Sequence, residues 1–250
     1  MNSCQVLSRE NLTHLLDSVD TFLFDCDGVI WKGDNLIDGV SETLDFLRSK
    51  GKKLVFVTNN SLKSRAQYAL KFHFLGISVS PDEIFSSSFA AAMYLKLYNF
   101  PPQNKVYVIG GDGILEELRL AGFNAFGGPA DANKTVDLKQ NIFFEHDKSV
   151  GAVVVGIDPN INYYKLQYGT LCIRENPGCL FIATNRDAVG HMTAWQEWPG
   201  SISDSIISHS GISLLSYCCT TQSALQDPSN NIHPDFYTSK ISDMLDLLEA

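Results

Sequence analysis

Hydrophobic and polar positions follow two different spacings in the first third of the chain. Residues 8–19 carry leucine and valine every three or four positions, which predicts an amphipathic helix. Residues 21–26 and 53–58 are short apolar runs with little polar alternation, which is typical of parallel strands covered on both faces. Helical spacing returns in residues 40–47 and 64–75. This order of strand, helix, strand and helix predicts a parallel α/β sheet with right-handed crossovers.

A second set of strands and helices follows. Helices are predicted at residues 88–98, 113–122 and 163–175, and strands at residues 105–111, 151–158 and 179–184. The polar residues 127–149 predict a loop, and a last amphipathic helix is expected at residues 239–248. Pro101 and Pro102 interrupt the chain between the two sets, which favours a domain boundary there.

The composition disfavours several classes of protein. With 250 residues and 44% hydrophobic side chains, the chain can bury a substantial core without disulfides or metal. Its net charge of −9 disfavours binding to nucleic acid or to an anionic membrane. No apolar run approaches the roughly 18 residues that a membrane helix needs. The six scattered cysteines and the lack of an apolar signal core predict a cytoplasmic protein with free thiols.

The candidate chemistry begins with two acidic residues at the end of the first predicted strand. Asp25 and Asp27 should project on the same side because side chains alternate along a strand, while Cys26 points away. Gly28 permits a sharp turn there, and ligands bind at the carboxyl ends of parallel strands. Two carboxylates this close are tolerated if Mg²⁺ neutralises them. One could then act as a nucleophile and the other as a general acid and base.

Three polar residues end the next predicted strand at the same edge of the sheet: Thr58, Asn59 and Asn60. A hydroxyl, two amides and nearby backbone N–H groups are suited to hold the oxygens of a phosphoryl group. Taken alone, each motif is also compatible with ordinary turn residues and an Asx turn. Because both motifs end successive buried strands, the sequence favours phosphoryl transfer.

These residues resemble a known family. FLFDCDGVIWKG followed by LVFVTNNS resembles the first two motifs of the haloacid dehalogenase-like phosphatases, and the likeness to their phosphoglycolate phosphatase and 4-nitrophenylphosphatase branch extends to about Gly200. The resemblance implies a doubly wound parallel-sheet (Rossmann-like) hydrolase core with an inserted α/β cap domain. It places the first part of the core in residues 1–100, the cap in residues 101–195, and a residual core with a C-terminal helix in residues 196–250.

The same resemblance implies Mg²⁺-dependent hydrolysis of small phosphate monoesters, with 2-phosphoglycolate as substrate and 4-nitrophenyl phosphate as a test substrate. Asp25 would form an aspartyl-phosphate, and Asp27 would protonate the leaving alcohol and then activate water. Asp25 and the Asp27 carbonyl would hold the metal. The phosphoryl oxygens would be held by Thr58, Asn59 and Asn60. His191 of the cap would lie near the leaving group, and the apolar cap strands could support a homodimer.

The chain departs from this family after Gly200. The third motif, whose lysine braces the nucleophile, and the acidic fourth motif are both missing, which predicts an internal deletion with a substituted junction. Asp204 is the remaining candidate for a further metal ligand. The missing segment should leave the strand at residues 21–26 with an unpaired apolar edge, and residues 212–219 are a candidate substitute strand.

Two other functions remain open from the sequence. A catalytically impaired relative could keep the cap and associate with full-length partners. A dinucleotide-binding domain is suggested by Gly111 and Gly113 before a helix, although Glu116 occupies the last glycine position of that motif.

Overall fold

The computed structural model describes residues 5–137, 139, 143–185, 189–190, 198–199, 215–216, 236–237 and 241–249. The helices are α1 (Arg9–Ser18), α2 (Val40–Ser49), α3 (Arg65–Phe74), α4 (Ser87–Leu97), α5 (Asp112–Leu120), α6 (Tyr163–Glu175) and α7 (Asp243–Glu249). The strands are β1 (Gln5–Val6), β2 (Thr21–Asp25), β3 (Trp31–Lys32), β4 (Asn35–Leu36), β5 (Lys53–Thr58), β6 (Ile84–Ser86), β7 (Lys105–Ile109), β8 (Asn124–Gly127), β9 (Val150–Val155), β10 (Leu180–Ala183), β11 (Val189–Gly190), β12 (Trp198–Pro199), β13 (Leu215–Ser216) and β14 (Phe236–Tyr237). Short 3-10 helices lie at Pro81–Glu83 and Gly128–Asp131.

The longer elements agree with the sequence pattern. The strand predicted at residues 53–58 and the helix predicted at residues 163–175 match β5 and α6 residue for residue. Helices α1 and α3 begin after Ser8 and Ser64, whose hydroxyls accept backbone N–H groups three residues further on. The predicted α/β class with parallel sheets is confirmed.

The first sheet contains β2, β5 and β6 in that order, all parallel. Phe24 pairs with Phe56, and Phe56 with Ile84, so these side chains share one face of the sheet. That face is buried in one cluster with apolar residues of α1, α2 and α3. The crossovers from β2 to β5 and from β5 to β6 step in the same direction across the sheet. Because crossovers are right-handed, they place α2 and α3 on the same face.

The opposite face corrects the expectation of a strand covered on both sides. Leu23 is 68% exposed, and Val55 and Val57 on the neighbouring strand are half-buried. Within the described residues, β2 pairs with β5 and with no other strand. The crossovers between β2, β5 and β6 place α2 and α3 on the face of Phe24 and Phe56. A helix that covers the face of Leu23 would have to belong to a crossover that leads to a strand on the other side of β2. Among the described residues the other edge of β2 is unpaired, and the loss of neighbouring strands stays a prediction.

The second sheet has the order β13, β10, β9, β7 and β8, with every pair parallel. Helices α4 and α5 pack on one of its faces and α6 packs on the other. The described part of residues 212–219, Leu215–Ser216, pairs with β10. The hypothesis that this run pairs beside β2 is therefore wrong for these residues. Among the strands of this sheet, β13 is the next one along the chain after β10, and strands that follow one another tend to pair.

Short elements were missed by the sequence pattern. β3 and β4 form an antiparallel hairpin inside the predicted loop after β2, and β6 and β8 each extend a sheet. The packing of α4 with the second sheet favours a domain boundary before Ser87, while the division near residue 100 stays a prediction. In the part of the chain that the structure describes, no helix is long and apolar enough to cross a membrane.

Helix α5 connects the two sheets through a close backbone contact. A Cβ atom at Gly113 would lie 2.3 Å from the backbone carbonyl carbon of Lys63. The Gly113 N–H donates to the Leu62 carbonyl at 3.2 Å. Buried Glu117 of the same helix accepts the backbone N–H of Arg65 at 2.7 Å and its Nε at 3.2 Å. The start of α5 therefore rests on the loop between β5 and α3.

Replacing Gly113 with alanine should force the start of α5 away from the loop between β5 and α3. The new methyl group meets backbone rather than a flexible side chain, so we expect Gly113→Ala to lower the free energy of unfolding by about 2–3 kcal/mol. Gly76→Ala is the control, because Gly76 has a positive φ of 82° but open space around its Cβ position. It should cost only about 1 kcal/mol. Urea denaturation of both variants measures the difference, and equal losses would contradict the packing argument.

Candidate active site

A tight turn follows β2 and carries both predicted aspartates. The Cys26 carbonyl accepts the backbone N–H groups of Val29 at 3.3 Å, Ile30 at 2.9 Å and Trp31 at 3.2 Å. Gly28, with φ of 84°, makes the turn possible and donates its N–H to the Trp31 carbonyl at 2.7 Å. The turn therefore fixes the backbone on either side of Asp27.

The side chains of this turn alternate as expected for the end of a strand. Asp25 and Asp27 are partly exposed, whereas Cys26 is fully buried. An Asp25 carboxylate oxygen accepts the Cys26 backbone N–H at 2.9 Å. Burial raises the pKa of the Cys26 thiol, and the charges of Asp27 and Asp25 raise it further. The thiol therefore stays protonated, which leaves the carboxylates as the nucleophilic groups of this turn.

Asp27 is held by Trp31, which no sequence motif marked as a site residue. The indole Nε1 of Trp31 donates to Asp27 Oδ1 at 2.8 Å, and Trp31 is fully buried. The Trp31 ring packs on α3, where it stacks on Tyr68 at 6.3 Å and meets the edge of Phe72 at 4.8 Å between centroids. The available signal was a tryptophan four residues after Asp27, in the segment that follows the two aspartates.

The Thr-Asn-Asn segment forms the neighbouring turn. Asp25 pairs with Val57 across the sheet, so Thr58 lies at the same carboxyl edge, one residue further along β5. The Thr58 hydroxyl accepts the Asn60 backbone N–H at 3.2 Å, and Asn60 Oδ1 accepts the Leu62 N–H at 3.1 Å. The Asx turn weighed as an alternative is thus present, at the same sheet edge as the aspartate turn.

Helix α3 ties the two turns together. The Tyr68 hydroxyl donates to the Asn60 carbonyl at 3.0 Å, while its ring stacks on Trp31. Burial raises the pKa of Tyr68, and the charge of Asp27 raises it further. Burial lowers the pKa of Lys71, and the charge of Asp27 opposes that shift. The pKa values of two residues on one helix, Tyr68 and Lys71, therefore depend on the charge of the Asp27 carboxylate.

The second sheet approaches the same edge from the other side. Ser61, which is fully buried, accepts the Thr184 hydroxyl at 3.0 Å and the Ile157 backbone N–H at 3.4 Å. Asn185 Nδ2 donates to the Asn59 carbonyl at 3.5 Å. Thr184 follows β10 and Ile157 follows β9, so carboxyl ends of the second sheet meet the loop after β5. The candidate site therefore lies where the carboxyl edges of both sheets come together.

Gly111 and Gly113, the pair suggested for dinucleotide binding, instead allow α5 to pack closely on the loop after β5. A Cβ at Gly111 would lie 3.1 Å from Leu62, and one at Gly113 would overlap the Lys63 backbone. The start of α5 is thus filled by the chain itself. Because a dinucleotide phosphate would need that space, the geometry does not support the dinucleotide hypothesis.

The remaining predicted site residues, His191 and Asp204, lie outside the described residues. Across the ranges that the structure describes, no group of three or more His, Cys, Asp or Glu side chains is placed to hold a metal ion. The described oxygen donors at the aspartate turn are therefore fewer than a fully protein-made metal site requires.

Fold, site and sequence comparison together define the class of this protein. The family model described as haloacid dehalogenase-like hydrolase matches residues 22–124, which include both turns. The structure of a 4-nitrophenylphosphatase from Thermotoga maritima superposes with a TM-score of 0.71 and covers 94% of this chain and 99% of that one, at 19% identity. That likeness establishes the fold. The chain belongs to the haloacid dehalogenase-like hydrolases, since relatives that are 53–56% identical cover 94–98% of it.

Within that family its relatives are phosphatases. Phosphoglycolate phosphatase 2 of Arabidopsis thaliana is 56% identical, with 98% of this chain and 99% of the relative covered. Phosphoglycolate phosphatase 1A, chloroplastic, of the same plant is 53% identical, with 94% of this chain and 79% of the relative covered. The first alignment runs over 297 positions, more than the 250 residues of this chain, so the relative has residues without a counterpart here. This agrees with the predicted internal deletion.

Proposed function

We propose that this chain hydrolyses small phosphate monoesters with Mg²⁺, through an aspartyl-phosphate on Asp25, and that 2-phosphoglycolate is a substrate. The observation that carries the proposal is the meeting of two turns at one sheet edge, with Asp25 and Asp27 on one and Thr58 to Asn60 on the other. The names of two relatives at 53–56% identity support 2-phosphoglycolate.

The proposed reaction has two steps. A carboxylate oxygen of Asp25 attacks phosphorus, the bond from phosphorus to the alcohol oxygen breaks, and Asp27 gives its proton to that oxygen. Asp27 then takes a proton from water as the water oxygen attacks the aspartyl-phosphate. Inorganic phosphate leaves, and the Asp25 carboxylate is restored. Meanwhile Thr58, Asn59 and Asn60 hold the oxygens of the phosphoryl group.

The aspartate turn fits Mg²⁺ as a partial site. Mg²⁺ prefers hard oxygen ligands, keeps several waters, and is often held by one or two carboxylates together with a substrate phosphate. The Asp25 carboxylate and the Asp27 carbonyl would supply the protein oxygens, with Asp204 as a possible further ligand. When bound, the ion would neutralise charge on the phosphoryl oxygens. We expect the affinity for Mg²⁺ without substrate to be weak.

The other expectations belong to the same proposal. His191 would contact the leaving group, the cap strands would support a homodimer, and neither nucleic acid nor a membrane is expected as a partner. The cytoplasmic location stays a prediction, and one of the plant relatives is named as chloroplastic.

Phosphate release by the full chain tests the proposal. We expect Mg²⁺-dependent turnover of 2-phosphoglycolate and 4-nitrophenyl phosphate that stops on chelation with EDTA. The rate should fall about 10²–10³-fold below that of the 56%-identical relative, because the lysine of the third motif is missing. A folded chain that releases no phosphate above the EDTA background would contradict the proposal and favour the non-catalytic alternative.

A further inference from the structure

We infer that Trp31 is a positioning residue for proton transfer by Asp27, and that α3 fixes it in place. The inference rests on the proposed function, since it concerns the group that protonates the leaving alcohol. Its geometric basis is the hydrogen bond of 2.8 Å from Trp31 Nε1 to Asp27 Oδ1.

The Trp31 ring has little freedom to move. It is fully buried, and residues at positions i, i+3 and i+4 of α3 contact it: Tyr68, Lys71 and Phe72. The Lys71 ammonium lies 4.3 Å from the ring centroid and donates to the Gly33 carbonyl at 2.9 Å, which also anchors the hairpin of β3 and β4. Because the ring is held in place, its N–H group also restricts the position of the Asp27 carboxylate that accepts from it.

The hydrogen bond distinguishes the two oxygens of Asp27. Oδ1 is occupied by the indole N–H, and among the described residues Oδ2 has no hydrogen-bond partner. Oδ2 is therefore the oxygen available to carry the proton. The Lys71 cation over the ring adds a cation–π contact that helps to hold the indole in place. Trp31 thus acts through Asp27 and does not itself contact the substrate.

This role predicts an effect that depends on the leaving group. An alkyl phosphate such as 2-phosphoglycolate needs its leaving oxygen protonated, whereas 4-nitrophenolate leaves without a proton. Loss of the indole N–H should therefore slow formation of the aspartyl-phosphate from the alkyl substrate far more than from the aryl substrate. A general loss of fold would slow both reactions equally.

The kinetic test compares Trp31→Phe, which keeps an aromatic ring but lacks the donor, with the wild-type chain. We expect kcat/KM for 2-phosphoglycolate to fall about 10- to 100-fold, and that for 4-nitrophenyl phosphate to fall less than about threefold. Leu12→Ala is the packing control, because it removes a buried apolar side chain of the same core cluster that belongs to α1 and not to α3. It should lower the melting temperature and leave the ratio of the two substrates unchanged. Equal losses with both substrates in Trp31→Phe would overturn the inference.

A second measurement needs no activity. The chain has three tryptophans, and the indole N–H signal missing from the NMR spectrum of Trp31→Phe identifies Trp31. In Asp27→Ala this signal should shift and exchange with D₂O about tenfold faster or more, since its acceptor is lost. Asp20→Ala, just before β2, should leave it unchanged. An unchanged signal in Asp27→Ala overturns the inference, whereas a wild-type chain without turnover but with the expected shift contradicts only the proposed function.

Discussion

Asp25→Asn should reduce Mg²⁺-dependent phosphate release by on the order of 10³-fold or more, to the background of the assay. The amide that replaces the carboxylate is a poor nucleophile, so the first bond to phosphorus does not form. The change is nearly isosteric, and the remaining amide oxygen can still accept the Cys26 N–H that Asp25 accepts at 2.9 Å. We therefore expect the melting temperature to remain close to that of the wild-type chain.

Two further observations make this prediction specific. Asp20→Asn, the same chemical change just before β2, should leave turnover unchanged, because Asp20 is exposed and its backbone carbonyl pairs with Lys53 independently of its side chain. Acid quenching during turnover should trap one phosphoryl group per wild-type chain by mass spectrometry, and none on Asp25→Asn. Full activity in Asp25→Asn would show that another group attacks phosphorus.

Local patterns were enough to predict most elements of this fold. The apolar run of β5 and the helical spacing of α6 are each long enough to specify an element, and serine caps mark the starts of α1 and α3. The two-residue strands β3 and β4 have no such pattern, because their pairing depends on the turn that follows β2. Short strands take their conformation from neighbours that the local sequence does not specify.

The exposure of β2 could not be read from its own residues. An apolar strand is typical of a buried position only when the elements that bury it are present. Leu23 is exposed because the existing crossovers place their helices on the other face of the sheet. The motifs missing after Gly200 were visible in the sequence, but the apolar run at residues 21–26 still predicted cover on both faces.

The candidate site, too, was only partly predictable from the sequence. The aspartates and the Thr-Asn-Asn segment were visible as local motifs at strand ends. The hydrogen bond from the Trp31 indole to Asp27, four residues earlier, was not, nor was the bond between Ser61 and Thr184, which lie 123 residues apart. The first depends on the tight turn after β2 and on packing of the ring against α3, and the second joins distant parts of the chain, so no spacing in the sequence specifies either.

Loss of the buried ion pair between Lys165 of α6 and Asp158, which follows β9, should strongly destabilise the chain. Lys165 Nζ lies 2.7 Å from Asp158 Oδ2, and the two side chains are 0% and 2% exposed. Lys165→Met removes the cation and leaves a buried carboxylate without its counter-charge. We expect the free energy of unfolding to fall by about 3–5 kcal/mol, as measured by urea denaturation.

Lys105 of β7 provides the comparison that isolates the effect of burial. Lys105 Nζ also lies 2.7 Å from a carboxylate, that of Asp147, but these side chains are 39% and 32% exposed. The hydrogen bond from Lys105 lowers the pKa of Asp147 to about 2, so the pair is ionised at neutral pH. Lys105→Met should nevertheless cost no more than about 1 kcal/mol, since water solvates the carboxylate that remains. Adding Asp158→Asn to Lys165→Met should recover most of the loss, because the cost arises from the unpaired buried charge. If Lys165→Met and Lys105→Met destabilise the chain equally, desolvation is not what makes the buried pair sensitive.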